Sequence, residues 1–157
     1  MTRAGIGWDS HRLETGRPLI VGGVRIPDAE RGLAGHSDAD VLTHAVIDAL
    51  LGAAALGDIG MHFPDTDERW RGADSLDLLR RARVLLGEAG LSPLNVDATV
   101  VCEEPRLSPY RDEMTASLAS AVGLPPEAVN VKFTTAEKMG FIGRGEGVAA
   151  LAVATVA

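Results

Sequence analysis

Apolar positions along the chain recur with two periods, one near two residues and one near three and a half. "PLIVGGVRIP" carries two short β-rich runs on either side of Gly22 and Gly23, bounded by Pro18 and Pro27, and predicts a tight hairpin. "HSDADVLTHAVIDALLGAAALG" repeats its apolar residues at helical spacing. Ser37 is the expected N-cap of that helix, Asp38 and Asp40 complement the dipole in its first turn, and Gly57 ends it. "ADSLDLLRRARVLLGEAGL" predicts a second amphipathic helix through Leu76, Leu79, Val84 and Leu86, stopped at Gly90. "NVDATVVCEE" reads as a strand, "SPYRDEMTASLASAVGL" as a third helix, and "NVKFTT" and "GVAALAVATVA" as closing strands.

Strands and helices therefore mix without strict βαβ alternation. The expected class is α+β, a mixed β-sheet with helices packed on one face as a two-layer sandwich. "GVAALAVATVA" is apolar on both alternating faces, so one face packs on the chain's own helices and the other needs a second cover. Its small side chains suit a close meeting of strands at a symmetry axis, with Ala152 or Ala154 as the expected outward residue. "DIGMHFPDTDERWRG" is the longest stretch without a clear period, and loops of that length are usually functional or mobile.

Composition narrows the function classes. The 157 residues fit one domain, 1–157, with a sizeable core. A net charge of -7 argues against a nucleic-acid surface, so any anionic ligand must be held by local devices. Cys102 is the only cysteine, which excludes an intrachain disulfide, and "MTRAGIG" does not resemble a signal peptide. The longest apolar run is too short for a membrane helix, which needs roughly 20 residues. The expectation is a cytoplasmic protein with no membrane partner.

Two polar concentrations carry candidate chemistry. In "GWDSHRL", Asp9 and His11 are two residues apart and share one face of an extended chain, as half of a metal site or as a solvated strand end. His44 lies four residues after Asp40 and four before Asp48, so the three share one helical stripe, and Asp48 is placed to orient the His44 ring. Asp9, His11 and His44 together suit Zn²⁺ with a fourth position open to substrate. The second concentration is "TTAEKMGFIGRGEG", where glycines allow backbone approach to phosphate and Thr134, Thr135 and Glu137 suit a Mg²⁺–phosphate pair. It lacks the P-loop pattern, and taken alone such a segment is more often a plain turn-rich loop between strands. His62 and Trp70 read as packing or surface residues, and Cys102 as a small buried hydrophobe.

"GWDSHRL", "GHSDADVLTHAVIDALLGAAALGDIG", "FPDTD" and "TTAEKMGFIGRGEG" together, in this order and spacing, resemble the 2-C-methyl-D-erythritol 2,4-cyclodiphosphate synthase family nearly end to end. The resemblance implies a phosphorus–oxygen lyase of the non-mevalonate isoprenoid pathway. Its substrate is the cytidyl diphosphate 4-diphosphocytidyl-2-C-methyl-D-erythritol 2-phosphate, which it cyclises with release of CMP. It also implies a homotrimer with active sites between subunits. In that family's pattern Asp9, His11 and His44 hold the divalent ion, usually zinc, and Glu137 a second ion, Mg²⁺ or Mn²⁺, bridging the phosphates.

His36 and Thr135 match the positions that stabilise the transition state, and Ser37 adds a phosphate contact. Asp58, Ile59 and Gly60, with Phe63, Pro64, Asp65, Thr66 and Asp67, would line the methylerythritol pocket. The cytidine would lie against Cys102, Glu103, Glu104, Pro105, Arg106, Leu107 and Ser108 and against Thr134, Thr135, Ala136 and Glu137 of the adjoining subunit. Phe141 and Arg144 complete the implied substrate-binding set, and Arg144 also faces a central cavity with Glu146.

Four positions depart from the pattern: Trp8 where Phe is common, Ala39 for Gly, Arg106 for Lys, and Ala136 for a third Thr. None is an implied metal ligand. A His₂Asp metal site would also serve a metal-dependent phosphoester hydrolase, and an apolar-lined trimer could be a carrier of isoprenoid phosphates. Product analysis separates these readings.

Overall fold

A computed structural model describes residues 1–157. The longest strand, β1 (Arg3–Thr15), opens the chain, and a hairpin of β2 (Leu19–Val21) and β3 (Val24–Ile26) follows. Gly22 and Gly23 join them at φ 59 and 74, both positive, as a two-residue turn between right-twisted strands requires. Then come β4 (Arg31–Leu33), α1 (Val41–Ala54), a single turn α2 (Ile59–His62), α3 (Ser75–Glu88) and β5 (Pro93–Val101). The chain closes with α4 (Arg111–Val122), β6 (Val129–Thr134), a short α5 (Gly140–Gly143) and β7 (Gly147–Val156).

Five strands form one sheet in the order β4-β1-β7-β5-β6, with only β5 and β6 parallel. The sheet is mixed and the class α+β, as the patterning indicates. The central helix α1 packs against β1 and β7 on one side and α3 on the other, which buries eleven of its residues, Val41, Ile47 and Leu50 among them.

Close packing of α1 on the sheet sets up everything downstream. A Cβ at Gly5 would lie 2.2 Å from the Ala49 carbonyl oxygen and one at Gly7 1.9 Å from that of Ala45, so only glycine fits under the helix there. The alanines of β7 complete the contact: Ala150, Ala152 and Ala154 are fully buried. This corrects the expectation that Ala152 or Ala154 points outward. The outward residues of β7 are Leu151 and Val153, 37% and 41% exposed, and they pair in register with Trp8 and Ile6.

Other differences concern helix boundaries. The cap of α1 lies three residues beyond the expected one, because Asp40 rather than Ser37 accepts the Thr43 N–H, and the helix ends at Ala54 with Ala55 left-handed (φ 58) rather than at Gly57. Asp40 is fully buried and also receives the Gly22 and Gly23 N–H groups at 2.8 and 2.6 Å and the Thr43 hydroxyl at 2.7 Å. It ties the hairpin to the helix. The aperiodic 58–72 stretch folds into α2 and a 3₁₀ turn at Glu68–Trp70, each capped by an aspartate, Asp58 and Asp67. No helix is long and apolar enough to cross a membrane.

Candidate active site

Residues 5, 7, 9 and 11 share the face of β1 that looks toward α1. Once Gly5 and Gly7 let the helix approach, Asp9 and His11 are carried up to His44 on its first turn. One ligand atom from each of the three lies within 4.8 Å of the others. Asp9 Oδ2 stands 2.8 Å from His11 Nε2 and 3.0 Å from His44 Nδ1, and the two ring nitrogens are 3.2 Å apart. Ligands about 2.0–2.1 Å from a tetrahedral zinc would lie roughly 3.3 Å from one another. The donor set and its spacing fit such an ion.

The far nitrogen of each ring is also engaged. His11 Nδ1 donates to the Ala34 carbonyl at 2.8 Å, which leaves Nε2 free to accept or ligate. His44 Nε2 meets Ser75 Oγ at 2.8 Å and Ser37 Oγ at 3.2 Å. Asp48, expected to orient His44, instead accepts the Ile59 N–H at 2.8 Å and anchors the start of α2. The i, i+4 spacing puts Asp48 on the same stripe of the helix, but the α2 turn engages its carboxylate. Ser75, at the start of α3, is the partner that spacing along α1 could not reveal.

Electrostatics follow from this crowding. Burial opposes ionisation of Asp9, yet the hydrogen bonds and charge of His11 and His44 outweigh it and hold the carboxyl down at about 2. Burial likewise opposes protonation of His11, but the bond to Asp9 and its charge prevail, so its pKa rises above the usual 6.5. Without a metal the cluster is a charge-paired unit.

His11, His36, Ser37 and His44 open onto a pocket of about 400 Å³ whose far wall is Ile59, Gly60, Phe63, Pro64, Asp65 and Trp70. Trp70 stacks edge-on against Phe63 with ring centroids 5.2 Å apart and lies under the Arg81 guanidinium, so it shapes that wall. His62 donates to the Leu56 carbonyl at 2.8 Å and turns away. Asp58 and Asp67 spend carboxylate oxygens capping the Met61 and Arg69 N–H groups, while Thr66 is exposed between them. Arg17 donates to the Gly35 and Ser37 carbonyls at 3.1 and 3.0 Å, holding the loop that carries His36.

A second pocket of about 430 Å³ is lined by Cys102, Glu103, Pro105, Arg106, Leu107, Ser108, Thr134 and Thr135. Glu104 faces an adjoining cleft that Glu103, Pro105 and Arg106 share with Asp28, Glu30 and Arg31. The Thr135 hydroxyl lies 3.2 Å from Glu137 Oε1. Glu103 does not point freely into this pocket: its carboxylate accepts the Ala136 and Lys138 N–H groups, both at 3.1 Å. Cys102 is buried just past β5, and desolvation pushes its thiol up to about 11, so it is a packing residue rather than a nucleophile. Phe141 is exposed, and Arg144 pairs with Glu146 at 2.6 Å. No residue is common to the linings of the two pockets.

Comparison with known proteins gives one answer throughout. The YgbB family model matches residues 2–157. The chain is 61% identical over 154 residues to 2-C-methyl-D-erythritol 2,4-cyclodiphosphate synthase of Salinibacter ruber, covering 98% of both chains. A solved structure of a synthase of that name, in a CDP-bound form, superposes with a TM-score of 0.90 at 41% identity, over 99% of this chain and all of that one. The bifunctional IspDF of Campylobacter jejuni superposes with a TM-score of 0.95 at 42% identity over 99% of this chain, which spans 42% of that longer protein.

Proposed function

Because the chain belongs to the YgbB family, we propose that it is a 2-C-methyl-D-erythritol 2,4-cyclodiphosphate synthase. It converts 4-diphosphocytidyl-2-C-methyl-D-erythritol 2-phosphate to the cyclic diphosphate and CMP. The observation that carries this reading is the convergence of Asp9, His11 and His44 at the mouth of a pocket walled by Ile59, Gly60 and Phe63.

In the reaction an oxygen of the 2-phosphate attacks the β-phosphorus, and the bond from that phosphorus to the oxygen of the departing CMP breaks. The nucleophile is already an anion, so no strong base is required. Repulsion between phosphates is the obstacle. Asp9, His11 and His44 would hold a divalent ion such as Zn²⁺, and Glu137 a Mg²⁺ or Mn²⁺ ion, whose charge would offset that repulsion. His36 and Ser37, on the loop that Arg17 braces, offer donors to the phosphates from one side. The Thr135 hydroxyl offers one from the other. The pocket wall keeps the methylerythritol chain folded, and holding attacker and target together can lower the barrier by roughly 7–11 kcal/mol.

The two pockets hold complementary halves of this machinery in one chain, which supports a homotrimer whose sites are completed between subunits. The apolar patch of Ile6, Trp8, Leu151 and Val153 on the sheet face away from the helices supports the same assembly. Leu151→Glu is therefore expected to dissociate the trimer, read by light scattering. Incubation with the cytidyl substrate and Mg²⁺ tests the activity: CMP with a cyclic diphosphate supports the synthase. A ring-opened product, as from a hydrolase, or unchanged substrate, as from a carrier, overturns it.

A further inference from the structure

We infer that Asp38 and Ser75 act as a positioning pair that fixes which ring nitrogen of His44 faces the metal. The inference rests on the reading of Asp9, His11 and His44 as a metal centre. Ser75 is fully buried at the first position of α3, and Asp38 lies in the loop before α1. The Asp38 carboxylate accepts the Ser75 N–H at 2.9 Å and the Ser75 hydroxyl through a short contact, and it also accepts the Asp40 N–H at 3.1 Å.

A carboxylate offers only acceptors, so the proton between Asp38 and Ser75 belongs to the serine. With its hydrogen committed there, Ser75 Oγ turns a lone pair toward His44 Nε2 at 2.8 Å. Ser75 Oγ therefore accepts from His44 Nε2–H, which leaves Nδ1, the atom that faces Asp9 Oδ2 and His11 Nε2, as the one that meets an ion at the cluster. His11 reaches the same end by donating Nδ1–H to the Ala34 carbonyl. The Ser37 hydroxyl, 3.2 Å from the same His44 nitrogen, faces the open pocket and is the weaker constraint. The backbone supports the pairing, since Asp38 N–H donates to the Ala73 carbonyl and Gly72 N–H to the His36 carbonyl.

Two substitutions separate positioning from bulk structure. Ser75→Ala removes the acceptor at Nε2. Asp38→Ala removes the acceptor of the Ser75 hydroxyl, which is then free to donate to His44 Nε2 and compete with the proton there. The measurements are zinc affinity by chelator competition and the His44 Nε2–H signal by ¹⁵N NMR of the zinc-loaded protein, on variants shown to be folded by circular dichroism.

The expected result is a hydrogen-bonded, slowly exchanging Nε2–H in the zinc-loaded wild type, its loss to rapid exchange in Ser75→Ala and Asp38→Ala, and zinc binding weakened roughly 10–100-fold in both variants. Wild-type zinc affinity in the variants, or an unchanged Nε2–H signal, overturns the positioning role alone. Absence of zinc uptake by the wild type overturns the metal reading and the positioning role with it.

Discussion

The Asp9–His11–His44 cluster and the Thr134–Lys138 turn are both polar, and they are built in opposite ways. In the first, all four ring nitrogens have partners on β1, α1, α3 or the Ala34 loop, and the three side chains are half-buried. In the second, Glu137 is exposed and its carboxylate meets only the Thr135 hydroxyl, while Glu137 and Lys138 hold left-handed backbone at φ 51 and 61. Left-handed residues other than glycine cost about 1–2 kcal/mol each, and the two N–H bonds to Glu103 offset part of that cost. One region is preorganised in its side chains. The other is preorganised in its backbone alone and leaves its side chains unengaged beyond the turn itself.

If that contrast is right, the regions fail differently. The largest effect is expected for His44→Ala, which loses tightly bound zinc and, with it, cyclase activity on the order of 10³-fold. Full zinc occupancy in the purified variant, by elemental analysis, would remove His44 from the ligand set. Glu137→Gln is expected to keep its zinc and raise the Mg²⁺ needed for half-maximal CMP release by roughly tenfold. Unchanged Mg²⁺ dependence would erase the distinction between the two ion sites.

Glu103→Ala unlocks the turn without touching either ion. The expected cost is about 0.5–1.5 kcal/mol of stability from the lost carboxylate bonds, seen in urea unfolding, with zinc content unchanged. The smallest effect is on pH dependence. His11 has a raised pKa, so in metal-free protein its pairing with Asp9 contributes stability that is full below 6.5 and lost as pH rises through the raised value. Zinc must displace that proton, so its affinity rises over the same range. Melting temperatures of the metal-free and zinc-loaded forms should therefore diverge as pH rises above 6.5, and parallel curves would contradict the ligand role of His11.

Legibility in the sequence follows the same contrast. The D-x-H spacing and the position of His44 report local geometry, a shared strand face and a helix start, so that half of the site was readable from period alone. The hairpin at Gly22–Gly23 was readable for the same reason. Asp48 was not, because its partner, the Ile59 N–H, comes from a turn whose docking on α1 is tertiary. Ser75 and Asp38 are 37 residues apart and meet only when α3 packs on α1. The outward face of β7 was misread because alanine suits a tight symmetry axis and a tight helix contact equally, and the glycines of β1 decide for the helix. The Thr135–Glu137 turn was legible as a glycine-spaced set of hydroxyls and a carboxylate, but its individual roles came only through resemblance, since the Glu103 bonds that shape it come from 33 and 35 residues away.

Subunit complementation tests most directly the claim that each site joins one subunit's metal cluster to a neighbour's turn. His44→Ala and Thr135→Ala chains, each of low activity alone, are unfolded together, refolded at a one-to-one ratio and assayed for CMP release. If the sites are shared, random assembly makes about a quarter of them fully wild type, and activity returns to about that fraction. If both halves of each site come from one chain, mixing restores nothing, and that result would contradict the account.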